Sequence, residues 1–178
     1  MQRKKISIAK KTLAKLEIKS WNKITLSQIL DNESKKIFNT KTDLLININN
    51  YFDFLLRENL VEIEKSSTKD MLFEVIMARL DIINIHRKSI KKLIIYFSTK
   101  PHTFIKLIPS FLDSIILFAS LSNIDVSGVK GIPKIKGIFI LYLLIFYTWY
   151  KDETPSLEKT MTTLDKYLNN IEKFIKII

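Results

Sequence analysis

Apolar side chains recur along most of the chain at helical spacing, three or four residues apart. Ile6, Ala9, Leu13 and Leu16 predict a first amphipathic helix over residues 4–19, with lysines on its other faces. Ser20-Trp21-Asn22-Lys23 breaks that pattern, and Trp21 and Ile24 are placed to plug the junction between the first helix and the second. Thr25-Leu26-Ser27-Gln28 fits a capping box, so a second helix is expected from Leu26 with Leu26, Ile29 and Leu30 inward. After a polar stretch anchored by Ile37 and Phe38, Thr40 or Thr42 caps a long helix. It opens with Asp43 and continues through Leu44, Leu45, Ile48, Tyr51, Phe52, Leu55 and Leu56 to about Ile63.

Past a linker at Lys65-Ser66-Ser67-Thr68, Met71, Leu72, Val75, Ile76, Leu80 and Ile83 predict a helix over residues 70–84. Another spans residues 86–97, with Ile90, Leu93, Ile94 and Phe97 inward and Arg87, Lys88, Lys91 and Lys92 as a solvated outer face. A further helix is expected over residues 102–121, kinked at Pro109 because proline donates no backbone hydrogen bond. Ser122 to Gly131 reads as the longest loop, and Pro133 as a first-turn proline of the next helix. Thr154-Pro155 repeats that start for a last helix with Leu157, Met161, Leu164, Leu168, Ile171, Phe174, Ile175 and Ile178 on one side. Asp152 and Glu153, between the two, read as solvated residues at a helix end.

Gly137 to Tyr150 is the outlier. Ile138, Phe139, Ile140, Leu141, Leu143, Leu144, Ile145 and Phe146 leave this helix no polar face, so it must be covered on every side. It is shorter than the ~18–20 apolar residues a bilayer crossing needs. Two coverings stay open: a central core position, or core on one side and a partner subunit on the other.

Composition narrows the class to all-α. With 178 residues, only 3 Gly and 4 Pro, and no cysteine, the chain lacks the turn signals of a sheet protein and has neither disulfides nor thiolate ligands. The basic N-terminus never reaches the apolar core of a signal peptide, and a cytoplasmic location is expected. Of 29 basic side chains, eleven fall in residues 1–41 against three acids, a local net charge of +8 out of +11. A basic end on a near-neutral body suggests a polyanion, either nucleic acid or an anionic membrane face. Drift toward one codon class also raises lysine, and both origins stay open.

Catalytic chemistry is hard to assemble. His86 and His102 are far apart in sequence, there is no ligand-spaced His/Asp/Glu cluster, no glycine-rich phosphate loop and no Ser or Thr beside a candidate base. No enzyme activity, metal or cofactor is expected.

The order of the motifs resembles the TetR family of transcriptional regulators. The basic first helix, the Trp21-x-x-Ile24-Thr25-Leu26 turn and Phe38-Asn39-Thr40-Lys41-Thr42-Asp43-Leu44-Leu45 are similar to its N-terminal domain. Leu72-Phe73-Glu74-Val75-Ile76-Met77-Ala78-Arg79-Leu80-Asp81 with His86-Arg87, and Trp149-Tyr150-Lys151-Asp152-Glu153-Thr154-Pro155-Ser156-Leu157-Glu158-Lys159-Thr160-Met161 with Leu164-Asp165, resemble a proteobacterial branch of it. That branch is similar in turn to lipid-binding accessory proteins of ubiquinone biosynthesis, which share the TetR fold without binding DNA.

The resemblance implies about nine helices: a three-helix helix-turn-helix head over residues 1–45 and a ligand-binding and dimerisation body over residues 46–178. It implies DNA contacts from Lys23, Thr25, Lys35, Lys36 and Lys41. An apolar pocket would draw on Met77, Phe97, Phe111, Ile115, Phe118, Tyr142, Phe146 and Trp149. A homodimer would form through Phe139, Leu143, Met161, Leu164, Leu168 and Ile171 of the last two helices. The stretch from Leu26 to Lys41 is too short for two full helices, so the recognition helix is expected to be cut to about one turn around Glu33 to Ile37. Its lysines then contact phosphates, which position a protein without reading sequence. Two functions are compatible with this: a regulator that binds DNA and an apolar small molecule, or a TetR-fold protein that binds a lipid or isoprenoid, with peripheral membrane contact, and no longer reads DNA.

Overall fold

The computed structural model describes residues 1–60 and 66–177, with side chains described through residue 170. Among the described residues the regular elements are eight α-helices and three single turns of 3-10 helix. The helices are α1 (Gln2–Ile18), α2 (Lys41–Asn59), α3 (Thr68–Ile85), α4 (Arg87–Thr99), α5 (Pro101–Ile105), α6 (Ile108–Leu121), α7 (Gly128–Lys151) and α8 (Glu158–Ile177). The chain divides into two compact units: unit 1, made of Met1–Arg57 and Ile82–Ser114, and unit 2, made of Glu58–Asp81 and Ile115–Ile178.

In unit 1, α1 buries Ile8, Ala9, Thr12, Leu13 and Leu16, and α4 lies along it in the same direction. The Ser89 hydroxyl donates to the Leu13 carbonyl at 2.9 Å, and Lys92 Nζ donates to the Glu17 carbonyl at 2.8 Å. Trp21 and Ile24 are fully buried, as their role as a plug requires. The second helix expected from Leu26 does not form. Trp21–Lys23, Leu26–Gln28 and Ser34–Lys36 are each one 3-10 turn. The buried anchors of this stretch, Trp21, Ile24, Ile29, Leu30 and Phe38, lack the repeating three-and-four step that gives a helix one inward face. They are buried instead turn by turn, Trp21 and Ile24 with the first, Ile29 and Leu30 with the second and Phe38 with the third. Nor does the capping box form: the Thr25 hydroxyl pairs with Ser27 Oγ at 3.0 Å, and Gln28 Oε1 is buried without a partner.

The start of α2 follows its sequence signal closely. Asp43 Oδ2 accepts from the backbone amides of Asn39 and Thr40, both at 2.8 Å, and Thr40 Oγ1 accepts from the Asp43 amide at 3.2 Å. This reciprocal cap identifies Thr40, not Thr42, as the capping residue. Asp43 also sits where the positive end of the helix dipole favours an acid. The helix is described to Asn59, and the expected continuation to Ile63 lies outside the described residues. The single kinked helix expected over residues 102–121 is two helices, α5 and α6. The break precedes Pro109, which thereby occupies the first turn of α6, where a missing N–H leaves no carbonyl unpaired.

In unit 2, α7 begins at Gly128, so Pro133 lies inside the helix and the preceding loop is shorter than expected. Gly131 is required there: a Cβ would fall 1.7 Å from the Val126 carbonyl oxygen, where the loop backbone crosses the helix. Helices α7 and α8 pack on each other, and Ile138, Leu141, Ile145 and Trp149 of α7 and Leu164 and Leu168 of α8 are buried.

The last helix starts at Glu158 rather than Pro155, and Asp152 is the reason. Its carboxylate is buried and accepts from the amide and hydroxyl of Thr154 through Oδ1, and from those of Thr160 through Oδ2. Thr154 Oγ1 in turn accepts from the Glu158 amide at 3.0 Å. The reading of Asp152 as a solvated residue is thus overturned. Burial alone would raise its carboxyl, but these bonds from Thr154 and Thr160 outweigh burial and hold it down at about 2.

Candidate nucleic-acid interface and apolar surfaces

Folding concentrates the charge of the chain. Unit 1 contains 18 Lys and Arg side chains against 6 Asp and Glu, whereas unit 2 contains 11 against 12. The basic outer residues of α4, remote in sequence from the N-terminus, join the basic first helix in one body. Unit 1 is the part of the chain suited to a polyanion.

Within it, the five residues expected at DNA divide into two groups. Lys23, Thr25, Lys35 and Lys36 are exposed. Lys41 turns inward: its Nζ donates to the Trp21 carbonyl at 2.5 Å and lies 4.6 Å from the centre of the indole ring. Partial burial lowers its pKa, and the side chain serves to lock Trp21 against the start of α2.

Lys35 and Lys36 stand on a 3-10 turn held from both sides. Asp31 Oδ1 accepts from the Ser34 amide at 2.7 Å, and Lys4 pairs with Asp31 at 3.6 Å and with Glu33 at 2.5 Å. The Ser34 hydrogen bonds, with help from Lys4, hold the Asp31 carboxyl at about 2. On the same flank, Lys11 Nζ donates to the Ile29 carbonyl at 2.8 Å. A three-residue 3-10 turn rises only ~6 Å. It presents two lysines at a surface but gives no helix to lay along a major groove.

The eight residues expected to line a pocket are divided between the two units. Phe97 and Phe111 belong to unit 1, where Phe104 bridges them in a series with ring centres 5.7 and 5.6 Å apart. Met77, Ile115, Phe118, Tyr142, Phe146 and Trp149 belong to unit 2. There Phe118, Tyr142, Phe146 and Trp149 form a second series with centres 5.2, 6.1 and 5.1 Å apart. The structure also holds an open cleft of about 560 Å³ between the first turns of α3 and the face of α8 bearing Met161, Asp165 and Leu168. Lys69, Asp70, Phe73 and Glu74 line its other side, and none of the eight residues does.

Sequence reasoning missed a polar cluster in unit 1. Asn49 Nδ2 donates to the Ser110 carbonyl, Ser110 Oγ and Ser114 Oγ at 3.1, 3.0 and 2.8 Å, and Ser114 Oγ donates to Asp53 Oδ2 at 2.7 Å. The signal was present as two polar pairs spaced four apart, Asn49 with Asp53 and Ser110 with Ser114, each on the apolar side of its helix. The cluster joins α2 to α6 by bonds with a fixed direction, which apolar contact lacks.

The surface of α7 resolves which side of the all-apolar helix is left open. Ile140, Leu143, Leu144 and Tyr147 are 58, 40, 44 and 57% exposed and fall three or four residues apart on one face. Of the six residues expected at a dimer interface, Leu143 lies on this face, Phe139 is half-buried beside it and Met161 is exposed on α8. Leu164 and Leu168 are buried within unit 2, and the side chain of Ile171 lies outside those described. Ile140, Leu144 and Tyr147 are open positions of this face outside that set. All-round hydrophobicity announced an exposed face without saying which one it was.

No family model and no curated protein matches the chain by sequence. Its structure is similar to that of the TetR transcriptional regulator from Nitrosomonas europaea ATCC 19718, with a TM-score of 0.73 over 93% of this chain and 95% of that one, at 16% sequence identity. A likeness that covers nearly the whole of both chains establishes that this chain has the fold of that TetR regulator.

Proposed function

We propose that the chain is a TetR-like transcriptional regulator. It acts as a homodimer, binds duplex DNA through its basic unit and holds an apolar small molecule in its helical body. The observation that carries this reading is the division of charge on a TetR fold: 18 basic side chains against 6 acidic in the unit that contains the N-terminal head. Lys23, Lys35 and Lys36 are the phosphate contacts of that head, and the open stripe from Ile140 to Tyr147 is the partner-facing side of α7. Because Ser34–Lys36 is one 3-10 turn, base readout is confined to few contacts, and specificity belongs at the low end of the range for DNA-binding proteins, about 10³ over random duplex. Titration of labelled duplexes at several salt concentrations tests this. A steep salt dependence with a sequence preference supports it, and equal affinity for every duplex removes the regulator.

The same 3-10 turns favour a second reading, in which the fold binds a lipid or isoprenoid and no longer reads DNA. Native mass spectrometry of the purified protein separates the two, since a retained lipid together with absent DNA binding selects the second.

A further inference from the structure

The segment that presents Lys35 and Lys36 has no α-helix of its own, so its place depends on ties from elsewhere in unit 1. Its backbone bonds close single turns: the Lys36 amide donates to the Glu33 carbonyl at 3.2 Å, and the Ile37 and Phe38 amides donate to the Ser34 carbonyl at 3.0 Å. Buried Ile29, Leu30 and Phe38 anchor its two ends. The middle is reached from α1. Lys4 Nζ lies 2.5 Å from Glu33 and 3.6 Å from Asp31, and Asp31 in turn accepts from the amide of Ser34, the residue before Lys35. Lys11 Nζ donates to the Ile29 carbonyl at 2.8 Å. Lys4 and Lys11 stand about two helical turns apart, so both project from one face of α1. That end of α1 is itself fixed to α2, because the buried Asn47 donates through Nδ2 to the Lys5 carbonyl at 2.9 Å.

We propose that Lys4 and Lys11 are positioning residues for duplex binding: they set the Lys35–Lys36 turn in place and do not themselves contact phosphate. This rests on the regulator reading above. Both ammonium groups are engaged within the protein, one by two carboxylates and the other by a main-chain carbonyl, and a phosphate contact would break those ties. Exposed ion pairs add little to global stability, so their effect is read in geometry and not in melting. A turn of three residues brings few groups to a duplex, and one that must be ordered on binding gives up affinity that a preorganised turn keeps. Lys41, turned onto Trp21, already shows a lysine of the basic segment working inward. Charge count alone overstates the phosphate contacts of this segment.

The test pairs two measurements on the full chain: backbone amide exchange by NMR, and titration of labelled duplex across a salt series. In Lys4→Gln/Lys11→Gln the Lys36, Ile37 and Phe38 amides are expected to exchange about ten-fold faster, while the amides of α2 and the melting temperature stay unchanged. Duplex affinity is expected to fall about ten-fold at fixed salt, with the slope of log affinity against log salt unaltered. Lys35→Gln/Lys36→Gln is the contrast, because it removes phosphate contacts and lowers that slope by about 2. Lys4→Arg keeps the pair with both carboxylates and is expected to behave as wild type. A slope lowered by about 2 in the Lys4/Lys11 variant makes these lysines phosphate contacts and overturns the proposal. Wild-type affinity or wild-type exchange in that variant overturns it too. If the wild-type chain binds no duplex, the regulator reading fails by itself and exchange alone decides: faster exchange in the variant supports the hold of α1 on the turn, and unchanged exchange overturns it.

Discussion

The two units are nearly equal in length and both helical, yet one carries three basic side chains for each acid while the other is balanced. That contrast bears on the origin of the lysines. Codon drift adds lysine without regard to where a residue ends up in space, and it gives no reason for acids to be half as numerous in one unit as in the other. The imbalance supports the polyanion-binding role proposed for unit 1. Unit 2 differs in kind, since its distinctive surface is the apolar stripe of α7.

The largest expected effect lies in the neutral unit. Trp149 is fully buried and stacked 5.1 Å from Phe146, so Trp149→Ala should cost about 3–5 kcal/mol in urea unfolding. A loss below about 1 kcal/mol would mean that unit 2 is not held by this core. Next comes Asp152, whose replacement by Ala strands the Thr154 and Thr160 donors and should cost about 2–3 kcal/mol. Its folded pKa of about 2 lies below the ordinary 3.8, so its contribution is complete above that value and disappears as pH falls toward 2. Asp152→Asn should flatten that part of the acid-stability curve. An unchanged curve would show that the carboxylate is not held by these bonds.

A charge on the apolar stripe tests the partner-facing role of unit 2. Leu144→Lys should shift a dimer toward monomer by about ten-fold or more in dissociation constant, measured by sedimentation. In unit 1, Lys35→Gln/Lys36→Gln should lower the slope of log affinity against log salt by about 2, uniformly across duplex sequences. Least of all, Lys4→Gln should leave the urea unfolding midpoint nearly unchanged, because its ion pairs with Asp31 and Glu33 are exposed.

The parts of this molecule that were legible in the sequence share a local cause. The cap at Thr40 and Asp43, the plug at Trp21 and Ile24, and the all-helical class rest on neighbours a few residues apart, which a linear pattern records. The failures share the opposite cause. Thr25 to Gln28 satisfied a local capping rule, but Ile29 and Leu30 at one turn and Phe38 at the next needed separate burial, and tertiary anchoring won. Asp152 looked solvated because its partner Thr160 lies eight residues away across a turn. The site was half legible: Lys35 and Lys36 stand exposed as expected, Lys41 is drawn inward by Trp21, and the addition of α4 to the basic surface depended on a helix pairing between residues more than seventy positions apart.

Binding of unrelated duplexes, followed by fluorescence anisotropy across a salt series, is the most direct test that unit 1 is a DNA-binding surface of a regulator. Affinity is expected to fall steeply with salt, with one preferred sequence standing about 10³ above the rest. Binding that is absent even at low salt, or equal for every duplex, would contradict it.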